Sequence, residues 1–205
     1  MQRSSKGKPS IMKFRIMSVS SEEKDYPASN LLTPKKGNKG WQCQRFCVFP
    51  QEIILSFPQM SHISSMQLLS HQSKISTKID ILVAKAPGER WNGQVSSLIF
   101  KKIGYFMLSN NETSNFQSRE LKTVYIDSNA AFLKLVLHKP HMNAVNLFNQ
   151  VGVIAVIFFG ESRGNPKLTH GGAMEGFNVT TGMQAMSHGK SNIFNYFIIF
   201  RFSFI

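Results

Sequence analysis

Apolar residues in this 205-residue chain recur with a period of two, and no long stretch repeats with the 3.6-residue period of an amphipathic helix. Ile53, Leu55 and Phe57 alternate with Glu52, Ile54 and Ser56, and Ile79, Ile81 and Val83 alternate with Lys78, Asp80 and Leu82. Leu133, Leu135 and Leu137 share one face of the run Phe132–His138. Successive side chains of a strand point to opposite faces, so this pattern predicts strands with one side in a core and the other in water. The run Val151–Phe159 differs, being continuously apolar and rich in β-branched residues, and it predicts a strand buried on both faces.

Further strand candidates are Met12–Val19, Phe46–Phe57, Ile63–His71, Ile99–Leu108 and Leu121–Asp127. Pro58 is expected to end the strand before it, since proline cannot donate to a ladder. The polar loop Ser20–Gly40 has room for one helical turn over Asp25–Leu32, because proline suits the first helical position. Ala84–Gly93 carries Pro87, Gly88 and Gly93 and reads as a turn. Roughly eight short strands at regular spacing predict an all-β chain, an antiparallel β-sandwich or jelly roll, with its first and last strands paired.

Composition limits what such a fold can do. Hydrophobic residues make up 42% of the chain and aromatics 11%, which excludes wholesale disorder. Two cysteines exclude a disulfide scaffold and a four-cysteine zinc site built from this chain alone. No apolar run approaches the roughly 20 residues of a membrane-spanning helix, and no secretory leader is evident, so a reducing cytoplasmic setting is the expectation. The net charge is +13, with nine Lys or Arg against three acids in residues 1–40 and the densest patch at Lys35, Lys36, Lys39 and Arg45. Such an excess favours acidic partners. No helix-turn-helix, zinc finger or RNA-recognition signature accompanies it, so direct nucleic-acid binding is not expected.

Several residues invite a chemical reading. Cys43, Cys47, His62 and His71 are spaced unlike any standard zinc finger, and a buried free thiol accounts better for the cysteines. His138-Lys139-Pro140-His141-Met142-Asn143 holds histidines with no nucleophile at a catalytic spacing, and nothing in the sequence licenses pairing Asp80 with Asp127. Gly37-Asn38-Lys39-Gly40 lacks the Lys-Ser/Thr ending of a phosphate loop. The triplets at Asn111 and Asn178 match the glycosylation pattern but lack a secretory context. No catalytic residue, cofactor or metal is therefore assigned. Trp41 has two readings, a plug at one end of the sandwich or an exposed anchor beside Lys39 and Arg45. Arg119-Glu120-Leu121-Lys122 is either an interaction rim or a solvated strand entry.

Five ordered blocks carry a resemblance. They are Gly40-Trp41 with Arg45–Leu55, Leu68–Gln72 with Ile75–Ile79, Arg119–Asp127, Phe132–His138 and Asn146–Val151. Lys102–Tyr105 and Leu108–Glu112 add to them. In order and spacing this stretch, residues 12–161, resembles the N-terminal domain of the centrosomal protein of 104 kDa family, which are ciliary-tip proteins. The resemblance implies a galactose-binding-like jelly roll of the coagulation-factor C type. It also implies a place on the cytoskeleton at centrioles and cilium tips, among protein partners linked to microtubules. Full-length members continue into coiled coil, a tubulin-binding array, zinc fingers and an end-binding motif, none of which occurs here, so the chain is expected to be the first domain alone.

The expected organisation is a basic, disordered start over residues 1–11, the domain over 12–161, and a non-domain tail over 162–205. The tail ends on the aromatic run 192–205, for which a truncated gene model is preferred over docking on the domain or a membrane surface. The domain is expected to be a non-enzymatic interaction module for acidic protein partners at microtubule ends. Its candidate contacts are Lys35, Lys36, Lys39, Trp41 and Arg45 of the basic loop Lys35–Arg45, with Arg119, Lys122, His141 and Asn143, and the loops Ser20–Gly40, Ser73–Ser76 and Lys139–Asn143 are candidate contributors. The rival reading is a module for carbohydrate or lipid headgroups, which rests on the fold class alone.

Overall fold

Two strands organise the molecule because each is long enough to belong to both of its layers. In a computed structural model, which describes residues 10–35, 37–86 and 93–162, all the regular elements but three 3-10 turns are strands. They are β1 (Ser10–Met12), β2 (Arg15–Val19), β3 (Trp41–Gln42), β4 (Gln51–Ser70), β5 (Lys78–Ala84), β6 (Lys101–Met107), β7 (Leu121–Leu137) and β8 (Gly152–Ser162). Every pairing is antiparallel. All of the expected tail but Ser162 lies outside the described residues, as do Lys36 and most of the expected N-terminal segment; the described stretch starts at Ser10 and runs to Ser162.

The first half of β4 pairs with β2 and with the last part of β7, which in turn pairs with β5 and, through it, β6. The second half of β4 pairs with the first part of β7 and with β8, and β8 carries β1 and β3 on its far edge. The ladder between β4 and β7 is irregular where the layers meet. From Ser56 to Ser61 β4 advances five residues while β7 moves two, from Phe132 to Ala130. Surplus residues bend a strand and sharpen its twist, which is how one strand serves two layers.

That bend corrects the expectation at Pro58, which stays inside a 20-residue strand. It falls in the stretch of β4 with no register partner on β7, so its missing N–H costs no ladder bond. A second irregularity, between Ile63 and Ser65, explains why the inward residues change from odd positions to even. Ile53, Leu55, Phe57 and Ile63 give way to Met66 and Leu68, and all six are in one core. The runs Leu121–Asp127 and Phe132–His138 are likewise one 17-residue strand, interrupted by the left-handed backbone of Asp127 (φ 45°). Met12–Val19 is two strands instead of one, since β1 joins β8 while β2 joins β4.

Other expectations hold. The first and last strands pair, Ser10 opposite Gly160, and β8 is buried through nearly its whole length. The turn in the long loop spans Ala28–Leu32, and its Leu31 is buried in the core. Phe158 of β8 sits at the centre, in edge-to-face contact with Phe14 (5.4 Å) and Phe57 (5.3 Å).

The loop before β3 is held against β8 by a close approach of two backbones. Gly40 has φ +67°, and a Cβ built there would lie 2.2 Å from the Val153 carbonyl oxygen. Gly37 has φ +80° but open space around it. Gly40→Ala is therefore expected to cost more than about 3 kcal/mol, and Gly37→Ala only the backbone term of about 1 kcal/mol. Urea denaturation of the two variants measures both; equal losses would show that β8 does not crowd Gly40.

Candidate functional site

The bends in β4 and β7 fold their outer ends back to one pole. The N-terminus of β4 and the C-terminus of β7 meet there as the pair Gln51 and Leu137, while the opposite ends of the same strands meet as Leu69 and Leu121. The connections Ser20–Gly40, 43–50, 71–77, 108–120 and 138–151 therefore gather at this pole and bond to one another. The Cys43 N–H donates to the Val151 carbonyl (3.0 Å), that of Gly152 to Lys74 (2.9 Å), that of His141 to Ile75 (2.9 Å) and that of Ser70 to Glu120 (2.9 Å).

A hydrogen-bonded floor fixes the pole. Lys74 donates its ammonium to Oε1 of Gln42 and, at 2.8 Å, to Oε1 of Gln150, and Gln150 Nε2 donates to the Cys43 carbonyl (2.7 Å). Burial pushes the Lys74 ammonium below its usual range. Its charge lies 5.8 Å from the ring centre of Tyr26, and Lys39 lies 5.6 Å from the same ring. Arg45 extends across Phe148, 4.4 Å from the ring centre, and reaches Glu23 at 3.6 Å. Lys39, Lys74 and Arg45 therefore meet around Tyr26 and Glu23, and neither Lys39 nor Lys74 forms an ion pair among the described residues. Cations against aromatic faces gain about 0.5–1 kcal/mol at exposed sites while remaining available to an anion.

The residues singled out in the sequence divide sharply. Lys35, Lys39 and Arg45 are exposed at this pole. Trp41 is a correction to the anchor reading: it is fully buried in the core, and its indole N–H donates to the Ser21 carbonyl (3.1 Å), so it plugs the sandwich and offers nothing to a partner. His141 and Asn143 tie loops together. His141 Nε2 donates to the Leu108 carbonyl (2.9 Å), and Asn143 donates to Ser73 O (2.8 Å) while accepting from Asn146 N–H (2.9 Å). Arg119 donates its Nε–H to Gln72 (2.9 Å) and is half-buried, and Lys122 pairs with Glu120 at 3.4 Å. Sequence reasoning passed over Tyr26, Gln42, Phe148 and Gln150, and reached Lys74 only as a member of its loop. No periodicity flags residues whose role comes from five loops meeting.

Among the described residues the titratable groups form no reacting set. Cys43 is buried, its Sγ 3.1 Å from that of Cys47, and burial pushes its thiol up to about 12, with Cys47 adding to the rise. Asp80 lies on the outer face of the sheet with Lys102 at 2.9 Å, His138 at 3.0 Å and Lys78 at 3.3 Å. Burial would raise its carboxyl, but Lys102, His138 and Lys78 outweigh that and hold it at about 2. Among the described residues no three His, Cys, Asp or Glu side chains gather as a metal would need. A groove of about 710 Å³ opens at the opposite pole between Val83, Leu98, Ile99, Ile103 and Asn129.

His71 marks how dry the loop pole is. Its Nδ1 accepts from the N–H groups of Ser73 and Lys74, both at 3.1 Å, so the ring is neutral with its proton on Nε2. Burial, then the charges of Lys74 and Arg119, lower it to about 3 from 6.5. The unfolded chain takes up this proton near pH 6.5 and the folded one does not, so the contribution is present above that pH and is lost as pH falls towards 3. Wild type is expected to lose about 1.4 kcal/mol per pH unit relative to His71→Gln between pH 6 and 4. Denaturant titrations across that window measure the difference; parallel curves would mean the folded ring is protonated.

Comparison with known proteins places the chain. The family model described as the N-terminal domain of the centrosomal protein CEP104 matches residues 40–160. The centrosomal protein of 104 kDa from Homo sapiens is 36% identical over 153 residues, 75% of this chain, and that from Mus musculus is 34% identical over the same length. The chain spans only 16% of the length of each. Among solved structures, the family 32 carbohydrate-binding module of C. perfringens NanJ, in complex with galactose, aligns with a TM-score of 0.55 at 16% identity, over 74% of this chain and 98% of that one. Reduced XRCC1, bound to the DNA polymerase β catalytic domain, aligns at 0.55 and 15% identity, over 76% of this chain and all of the other. At such identities these two establish the jelly-roll fold and nothing of the ligand.

Proposed function

The chain belongs to the family of the centrosomal protein CEP104 N-terminal domain, and on that footing we propose that it is a non-enzymatic interaction module that docks acidic protein partners at the microtubule ends of centrioles and cilia. The observation that carries the docking is the gathering of Lys39 and Lys74 on Tyr26 and of Arg45 on Phe148 and Glu23 at the loop pole. Their attraction to carboxylates needs no pocket, only an approaching acidic segment, and would be strongest at low salt. The family's name supports the cellular place. A partner captured this way at a microtubule end carries exposed runs of Glu or Asp.

Lys35 and Lys39 are exposed, so reversing them leaves the core untouched. Lys35→Glu with Lys39→Glu is expected to weaken binding of a Glu-rich peptide at least about tenfold and to remove the chain from cilium tips, with an unchanged melting temperature. Fluorescence anisotropy and imaging in ciliated cells measure the two effects. Unchanged affinity, or selective capture of a glycan or an anionic vesicle in the same assays, would overturn the reading.

A further inference from the structure

Beside the cations stands an apolar tip that ion pairing does not account for. The connections 43–50 and 138–151 meet where the Phe46 N–H donates to the Phe148 carbonyl (2.8 Å) and the two rings stack edge-to-face at 5.7 Å. Around them Val48 is 84% exposed, Leu147 73% and Phe46 70%, with Met142 and Val145 also open to water. No charged residue occurs in 46–51 or 142–149. Scattered single apolar residues are normal on a surface, but a contiguous set drawn from two loops marks an interaction site.

The backbone is strained to present it. Phe46 has φ +55°, a left-handed conformation that non-glycine residues rarely adopt. Strain of this kind survives only where surrounding contacts over-determine it. Here the contacts are the Phe148 carbonyl, the reciprocal bonds of Asn146 with the backbone of Gln150 (2.8 and 3.0 Å), and the Cys43 N–H on Val151. The tip is thus held rigid, which lowers the entropy a partner must remove on binding.

The charges beside the tip decide the occupant. Arg45 lies over the Phe148 ring and reaches Glu23, while Lys74 and Lys39 lie on the Tyr26 ring of the same loop pole. An apolar tip beside cations complements a segment that carries both a bulky apolar side chain and carboxylates, and an extended one sets them about 3.3–3.6 Å apart per residue. We infer that the apolar tip seats a bulky aliphatic or aromatic side chain of an extended acidic peptide whose carboxylates lie along Arg45, Lys74 and Lys39, so that Phe46, Val48 and Leu147 set specificity within the acidic docking proposed above, on which this rests. An acidic run alone engages half of the surface.

The full chain is tested with two labelled synthetic peptides of equal charge, Leu-Phe followed by four Glu and Ala-Ala followed by four Glu, with anisotropy as the readout. The Leu-Phe peptide is expected to bind at least tenfold more tightly. Val48→Ser with Leu147→Ser is expected to bring the two peptides to the same affinity, and Phe46→Leu to keep the preference; circular dichroism confirms folding of both variants. Equal affinity of wild type for the two peptides overturns the inference and leaves the acidic docking standing. Failure of both peptides to bind overturns both. Phosphatidylserine vesicles binding in preference to either peptide, with the same dependence on Val48 and Leu147, overturns it in favour of a lipid surface.

Discussion

The ladder between β4 and β7 is the constraint from which the architecture follows. It runs from Gln51 and Leu137 to Leu69 and Leu121, and both layers hang on it. Its irregularities are the hinges of the fold, because a continuous regular ladder of that length would give a twisted ribbon with one face exposed. Where the register slips at 56–61, the ladder turns and encloses Phe57 against Phe158. Local backbone irregularity is what closes the hydrophobic core.

This also explains what could be read in the sequence and what could not. The alternation at Ile53–Phe57, Ile79–Val83 and Leu133–Leu137 reports burial directly, and so does the unbroken apolar run of β8, because side-chain direction along a strand has period two. Pro58 misled because its local rule is true of regular ladders and it stands in an irregular one. The left-handed residue at Asp127 leaves no compositional trace, so one strand read as two.

At the candidate site, composition pointed to Lys39 and Arg45 but not to how they are used. The sequence shows a basic excess spread along the chain, whereas the fold divides it. Lys78 and Lys102 serve Asp80, Lys134 serves Glu52 and Lys122 serves Glu120. Those pairs knit neighbouring strands or rim a loop. At the loop pole Arg45 reaches Glu23, while Lys39 and Lys74, both on the Tyr26 ring, form no ion pair among the described residues. For Trp41 the sequence left a plug and an anchor both open, since charges flank it, and the fold takes the plug: the turn at Gly40 sends it inward against β8.

The pairing of β1 with β8 sets a direction. Ser10 and Ser162 both lie at the pole where the layers bend, at the far end of β8 from the loops. The two described ends of the domain thus stand side by side, across the length of β8 from the loops that hold Tyr26 and Phe148.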